Sequence, residues 1–342
     1  MKIGIVNDSV MATEVLRRIV SSCPDHQLLW LAADGAEAVS RCQEALPDLV
    51  LMDLLMPVMD GVMATRRIMK NTPCAILIVT SSVTGNASMV FEAMGAGALD
   101  VVATPVLGQD GLNTATNELL RKIELIGKLI GCSARKSKPH RHPTREIKAP
   151  SRRKDPTMIA IGASTGGPQA LTAVLSQLPA DFPAAVVIIQ HMDKKFTHGL
   201  ASWLNQQIAM PVKVIVEKER PYRGLVQIPS TDHHLILNTN GTLSYTVKPV
   251  DNFYHPSIDV FFQSLTKNWH GPIIGVLLTG MGRDGAAGLL SLKEEGHHTI
   301  AQDEESSIVY GMPKAAKQLD AAKEILPLNE IGARIKTLMG RK

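Results

Sequence analysis

Cysteine is scarce in this chain, and no apolar run is long enough to cross a bilayer. The 342 residues hold four cysteines, Cys23, Cys42, Cys74 and Cys132, and none follows Cys132. They lack metal-ligand or redox spacing, which argues against a metal or dithiol cluster and fits unpaired thiols in a reducing cytoplasm. The longest apolar runs, such as Ala184–Ile189, are far shorter than a membrane span. Met1 to Val6 starts directly as a strand rather than as a secretion signal. A cytoplasmic chain with no direct membrane insertion is therefore expected. No short-period repeat is evident. A helix-turn-helix pattern is also missing, which sets aside a nucleic-acid partner.

Excess positive charge is likewise missing once it is located. The net charge is +4. Residues 131–155 alone hold nine Lys/Arg against two acidic residues, so the remainder of the chain is net acidic. This segment has three prolines and almost no apolar side chains, and cannot bury enough surface to fold alone. It reads as a solvated basic tether, with a specific acidic partner as the alternative.

What is present is an ordinary globular composition, 45% apolar and 20% charged, at a length comfortable for two domains. Strand-like runs at Ile3–Val6, Leu28–Ala32, Leu49–Met52, Ala75–Val79 and Leu99–Ala103 alternate with helical patterns. They predict an α/β domain with a five-stranded parallel sheet over residues 1–125, closed by a helix from Leu112 to Ile130. After a linker spanning 126–155, the alternation resumes at Met158–Ile161, Ala185–Ile189, Ile273–Leu278 and His298–Ala301. Residues 156–342 are thus expected to form a second, doubly wound and mostly parallel α/β domain. Its stretch from Val212 to Tyr245 is hairpin-like, with the tight turn at Thr239-Asn-Gly-Thr242.

In open α/β sheets, functional groups collect beyond the carboxyl ends of the strands. In the second domain, Met158–Ile161 runs into Gly162-Ala-Ser164-Thr-Gly166, a G-x-S-x-G corner that exposes a hydroxyl between glycines. The next strand delivers Gln190-His191, and Ile273–Leu278 delivers Asp284 in a glycine-rich loop. A serine needs an imidazole to remove its proton, and the imidazole needs a carboxylate to fix its tautomer. Glycine turns at Ser164 and at Gly280-Met-Gly282 can supply oxyanion donors. Singly, each residue reads as a cap, a turn or a surface residue; their arrival at three strand ends favours a hydrolase. A phosphate cradle is disfavoured, because Ser164 stands where G-x-G-x-x-G needs its middle glycine and the second strand ends in Gln190-His191, with no acid there to hold a ribose. The order Ser, His, Asp also differs from that of the α/β-hydrolases, so that fold is not implied.

Residues 158–342 resemble the catalytic domain of the chemotaxis protein-glutamate methylesterases, the CheB family. The resemblance rests on Ile161-Gly-Ala-Ser-Thr-Gly-Gly-Pro168, Gln190-His-Met192 with Phe196-Thr197, and Pro256-Ser-Ile-Asp259. It continues in Leu278-Thr-Gly-Met-Gly-Arg-Asp-Gly-Ala286, Ala301-Gln-Asp-Glu304 and Val309-Tyr-Gly-Met-Pro-Lys314. It implies that Ser164 attacks the γ-carbonyl of a methylated glutamate on a chemoreceptor helix. His191 then acts as base and acid, Asp284 orients it, and the Met281 N–H binds the oxyanion. Methanol is released, the esterase step needs no cofactor, and the family also deamidates receptor glutamines.

In the first domain, Asn7-Asp8, Asp53, Thr80 and Thr104-Pro105 follow successive strands. Carboxylates at such an edge repel one another unless a hard cation such as Mg²⁺ sits among them. Residues 1–125 resemble a response-regulator receiver, most clearly at Asp48-Leu-Val-Leu-Met-Asp-Leu-Leu-Met-Pro-Val-Met-Asp-Gly61. The resemblance makes Asp53 the phosphoacceptor for a chemotaxis-type histidine kinase. Asp8, Asp53 and the Leu55 carbonyl would hold Mg²⁺, and Thr80 would bind the phosphoryl group. Three positions depart from the receiver pattern: Asn7 replaces an acid, Thr104 a lysine, and Val101 an aromatic. Losing a carboxylate and a lysine weakens or retunes phosphorylation; a receiver kept for docking alone is the alternative. Asn7-Asp8 and the missing lysine are also similar to the Wsp-type surface-sensing branch. Two functional readings result: an esterase covered by its receiver until Asp53 is phosphorylated, or a non-enzymatic receiver protein acting by occupancy. Nothing demands more than a monomer.

Overall fold

The computed structural model describes residues 1–81, 87–105, 111–130 and 155–340. The core of the predicted basic tether, residues 131–154, lies outside the described residues.

In the first domain, short aliphatic runs form β1 (Lys2–Val6), β2 (Gln27–Ala32), β3 (Leu49–Met52), β4 (Ala75–Thr80) and β5 (Asp100–Ala103). All pairings are parallel and the order is β2-β1-β3-β4-β5, which is the flavodoxin-like order. Helices α1 (Val10–Ser21) and α5 (Gly111–Ile130) cover one face, closing over Ile3, Leu49 and Leu77. Helices α2 (Gly35–Glu44), α3 (Gly61–Asn71) and α4 (Ala87–Gly95) cover the other. Side-chain caps start the helices where the chain leaves the sheet: Asp34 caps α2 and Asp60 caps α3. Helix α5 runs on into the stretch expected to be linker. Its apolar positions Leu119, Ile123 and Ile126 continue at helical spacing and are buried.

The second domain is built on a seven-stranded sheet of β6 (Thr157–Ala163), β7 (Ala184–Gln190), β8 (Val212–Val214), β9 (Leu225–Ile228), β12 (Ile273–Leu277), β13 (His298–Gln302) and β14 (Glu324–Leu326). Its order is β14-β13-β12-β6-β7-β9-β8, and every pairing is parallel. Helices α6 (Gly167–Leu175), α7 (Thr197–Gln207) and α11 (Leu328–Gly340) cover one face. The other is covered by α8 (Ile258–Asn268), α9 (Ala286–Glu294), α10 (Met312–Gln318) and a hairpin of β10 (His234–Leu237) and β11 (Leu243–Thr246). Burial on both faces explains why β6 and β7 read as unbroken apolar runs rather than alternating ones.

The stretch from Val212 to Tyr245 is only partly a hairpin. Its turn lies between β10 and β11, with Gly241 at φ +79°. The earlier strands β8 and β9 instead extend the main sheet in parallel. Three- and four-residue strands carry too little periodicity to reveal such partners, and the same holds for β14 at the opposite edge.

The two domains meet through α4, which lies against α6 and α7. Phe91 stacks on Trp203 with ring centroids 5.7 Å apart, and the Gln169 side-chain amide donates to the Met94 carbonyl. Both rings are buried. Truncating a ring in such a contact removes apolar burial and leaves a cavity, at about 3–5 kcal/mol. Trp203→Ala is therefore expected to lower the thermal midpoint and to enlarge the radius of gyration in solution scattering. An unchanged radius would mean that this stack does not hold the domains together.

Candidate functional site

Strand register brings the hydrolase candidates together. β6 is central, with β7 on one side and β12 on the other. Ala163 pairs with Gln190, so Ser164 and His191 leave neighbouring strands side by side. The His191 N–H donates to the Ala163 carbonyl at 3.0 Å, and the Ser164 N–H to the Thr279 carbonyl at 3.1 Å. Gln190 is buried, and its side-chain amide donates to the Ser164 carbonyl at 2.8 Å, tying the corner to the next strand.

The two corner glycines do different jobs. Gly166 adopts φ +76° at the start of α6, with Pro168 in the first turn, so it is the conformational hinge. Gly162, expected to relieve the same corner, is still inside β6. A Cβ there would lie 2.5 Å from Ile258 Cγ2, so it is glycine because α8 packs against it.

Asp284 returns to the site through a loop in which Gly282 and Gly285 adopt φ of +83° and +86°. It is seated at the N-terminus of α8. Oδ1 accepts from the Ser257 hydroxyl at 2.7 Å and from the Asp259 N–H at 3.2 Å; Oδ2 accepts from the Ile258 N–H at 2.6 Å. His191 Nε2–H donates to the same Oδ2 at 2.8 Å. Burial pushes the Asp284 carboxyl up, but the His191 bond and charge, with the Ser257 and Ile258 bonds, hold it below the ordinary range. With Nε2 committed to Asp284, Nδ1 is the basic atom of His191, and it is buried with no partner among the described residues.

Around this pair the β12–α9 loop is locked. The Thr279 hydroxyl donates to the Thr165 carbonyl at 3.0 Å and accepts from the Val309 N–H at 2.9 Å. The Gly280 carbonyl accepts from the Met312 N–H at 2.8 Å. A Cβ on Gly280 would fall 2.6 Å from Ser164 Cβ, so the loop presses directly on the serine. The Met281 N–H has no protein acceptor among the described residues. Ser164, His191 and Met281 line one cleft of about 630 Å³, whose far wall is α5 of the first domain through Glu118, Arg121, Lys122 and Leu125. This geometry suits attack by a hydroxyl on a carbonyl carbon.

Two contributors were not singled out from sequence. Ser257 lies in the quoted Pro256-Ser-Ile-Asp259 motif, yet its bond to Asp284 depends on where α8 starts. Tyr254 stacks on His191, with ring centroids 4.4 Å apart and planes 7° from parallel. Its one sequence signal is its place in Phe253-Tyr254, in a chain that is only 4% aromatic.

At the first domain's strand ends, Asp53 is nearly buried after β3, Thr80 is buried at the end of β4, and Asp8 is exposed after β1. Asn7 does more than remove a charge. Its side-chain amide donates to Asp53 Oδ2 at 3.0 Å, and its own oxygen accepts from the Ser9 N–H at 2.8 Å. The Thr104 hydroxyl is buried with no partner among the described residues, and Val101 is a core residue. Burial pushes the Asp53 carboxyl up to about 6; the Leu54 N–H bond opposes this rise and the charge of Asp8 adds to it. A carboxylate so destabilised, within electrostatic reach of the Asp8 carboxylate, fits a hard oxygen-seeking cation such as Mg²⁺. Among the described residues no group of three or more His, Cys, Asp or Glu side chains could hold a metal ion, so a cation at Asp53 would need backbone carbonyl and water oxygens to complete its shell.

Comparison with known proteins matches two separate parts of the chain. Residues 159–335 match the CheB methylesterase family and residues 3–117 the response regulator receiver domain. Over 98% of both chains, the sequence is 53% identical to the protein-glutamate methylesterase/protein-glutamine glutaminase of group 3 operon of Pseudomonas putida. It is 54% identical, again over 98% of both chains, to protein-glutamate methylesterase/protein-glutamine glutaminase 2 of Pseudomonas syringae pv. syringae. The crystal structure of the Thermotoga maritima CheB methylesterase catalytic domain is 34% identical with a TM-score of 0.50, covering 53% of this chain and 97% of that one.

The raised Asp53 value has two measurable consequences. Ionising a group whose folded value exceeds its unfolded one, about 4, costs stability as pH rises through about 6. Asp53→Asn is therefore expected to raise the thermal midpoint above pH 6 and to leave it unchanged below pH 4. Mg²⁺ should shift the carboxyl titration, followed by NMR, to lower pH. A titration indifferent to Mg²⁺ would remove the metal assignment.

Proposed function

Because the chain belongs to the CheB methylesterase family, we propose that it hydrolyses glutamate methyl esters on chemoreceptor helices through Ser164, His191 and Asp284, under control of its receiver. The observation that carries this reading is the state of His191: one nitrogen is bonded to a buried carboxylate and the other is left without a partner, on a residue that leaves the strand next to that of Ser164 and lines the same cleft.

The steps follow from that geometry. His191 Nδ1 takes the proton of the Ser164 hydroxyl as Oγ attacks the ester carbonyl carbon. Negative charge builds on the carbonyl oxygen, and the Met281 N–H is the donor placed to meet it. The imidazolium is stabilised by Asp284, which stays ionised because four hydrogen bonds hold its carboxylate. The C–O bond breaks, and methoxide leaves as methanol with the proton from Nδ1. Water then attacks the acyl-enzyme with His191 again as base, giving the free glutamate carboxylate and restoring Ser164. A glutamine side chain at the same position would release ammonia by the same route, which is the glutaminase activity named for the relatives.

The receiver supplies the control. Asp53 is the phosphoacceptor, with a chemotaxis-type histidine kinase as donor and Thr80 beside the phosphoryl group. Asp8, Asp53 and the Leu55 carbonyl would hold Mg²⁺, which supplies the positive charge that phosphoryl transfer needs. Asn7 lowers the charge of that site, and Thr104 leaves it without the usual lysine; the Wsp-type placement rests on these two positions. The placement of α5 across the cleft from Ser164 supports a site covered in the resting state and opened when phosphorylation shifts a bistable interface. The working compartment is the cytoplasm, and a monomer suffices.

Methanol release from methylated receptor membranes tests the assignment. Ser164→Ala is expected to lower kcat by at least about 10⁴-fold and Asp284→Asn by about 10⁴-fold. A small acyl-phosphate donor should raise the rate of the intact protein but not of Asp53→Asn. Full activity in Ser164→Ala would leave the receiver-by-occupancy reading as the better one.

A further inference from the structure

The triad leaves His191 held by a single hydrogen bond, so something else must set the plane of its ring. The covering group comes from a strap, residues 249–257, that joins β11 to α8. His234 pins both ends of this strap. Its ring is fully buried; Nε2–H donates to the Pro249 carbonyl at 3.0 Å, and Nδ1 accepts from the Ser257 N–H at 3.2 Å. Burial holds the His234 imidazole below its ordinary range, which keeps Nδ1 free to accept. Ser257 in turn donates to Asp284. The same nine-residue strap therefore fixes the carboxylate at one end and covers the imidazole in its middle.

Tyr254 makes that cover. Its ring lies 4.4 Å from the His191 ring and nearly parallel to it. Its hydroxyl donates to the Met281 carbonyl at 3.4 Å and occupies the space that a Cβ on Gly282 would enter, 2.2 Å away. The outer edge of the ring is braced by Phe253, edge-on at 5.1 Å, which itself lies 5.0 Å beneath the Arg121 guanidinium of α5.

We propose that Tyr254 is a positioning residue for His191, stacking on the ring to hold Nδ1 toward Ser164 and stabilising the imidazolium that forms during reaction. This rests on the catalytic reading of Ser164 and His191 above. A parallel aromatic face attracts an imidazolium more than a neutral imidazole. The contact therefore strengthens as His191 takes the serine proton, and it acts on kcat rather than on substrate binding. The other charged or titratable groups near the ring are Asp284 with its neighbours Asp259 and His234 behind it, and Asp100, Glu118, Arg121, Lys122, Asp193, Lys194, Lys195, Asp232 and His255 around the cleft. None of the proposed variants alters them.

Three variants of the full-length protein test this, assayed by methanol release and kept in the same phosphorylation state. Tyr254→Phe keeps the ring and is expected to stay within about twofold of the parent kcat. Tyr254→Leu removes the ring and should lower kcat roughly tenfold with KM little changed. Its acid limb in the kcat/KM profile should move to lower pH, because the imidazolium has lost its stabilising face. Tyr254→Met offers the same comparison without a ring if the leucine variant melts early. A ringless variant with parent kcat and an unmoved acid limb would overturn the proposal. So would Tyr254→Phe as impaired as Tyr254→Leu, since that would place the role in the hydroxyl. If instead Ser164→Ala kept full activity, the catalytic reading beneath the proposal would fail, an outcome that the Tyr254 series alone does not produce.

Discussion

The catalytic half of this protein depends on how one buried carboxylate is kept charged. Asp284 is removed from water, which by itself favours the neutral acid. The start of α8 replaces the lost solvent with the Ser257 hydroxyl and the Ile258 and Asp259 N–H groups, and His191 adds the last bond. A helix N-terminus is suited to this, since its first N–H groups have no partners within the helix and carry partial positive charge. The carboxylate therefore needs no cation beside it. Removing one partner from such a buried arrangement costs about 3–5 kcal/mol, because the charge left behind stays buried.

From that seat the rest of the site follows by geometry. Asp284 fixes Nε2 of His191, parallel register fixes where His191 stands relative to Ser164, and the strap over residues 249–257 fixes the ring plane. The glycines serve these approaches in two ways. Gly166, Gly282 and Gly285 allow left-handed turns, whereas Gly162 and Gly280 admit a neighbour that any Cβ would strike. The receiver repeats the electrostatic problem with a different solution. Asp53 is buried among few donors, with Asn7 supplying a neutral amide where a second acid would add charge. Burial thus leaves its carboxyl unstable as an anion.

The interface ties these two electrostatic centres into one molecule. Helix α4 meets α6 and α7 through Phe91 and Trp203, while α5 faces the cleft that holds Ser164. Arg121 reaches across to Phe253, whose neighbour Tyr254 covers His191. Contact between the domains and the cover over the His191 ring thus share one short piece of chain.

The alternation of strands and helices was legible from sequence, because β4, β6 and β7 are aliphatic runs of six or seven residues set between helical patterns. So were Ser164, His191 and Asp284, since each directly follows a strand or opens the next helix. Strands β8, β9 and β14 were not legible as members of the main sheet, because three or four residues carry no reliable period and their pairing is decided by distant partners. Nor could spacing reveal which imidazole nitrogen faces Asp284, that Asn7 bonds Asp53, that Tyr254 stacks on His191 or that Ser257 bonds Asp284. Those facts depend on side chains meeting across tens of residues. The sequence by itself determined the alternation of elements and the chemistry at the strand ends, because both are local. Only the tertiary structure decided which atoms meet, because packing and burial act between segments that the chain order keeps apart.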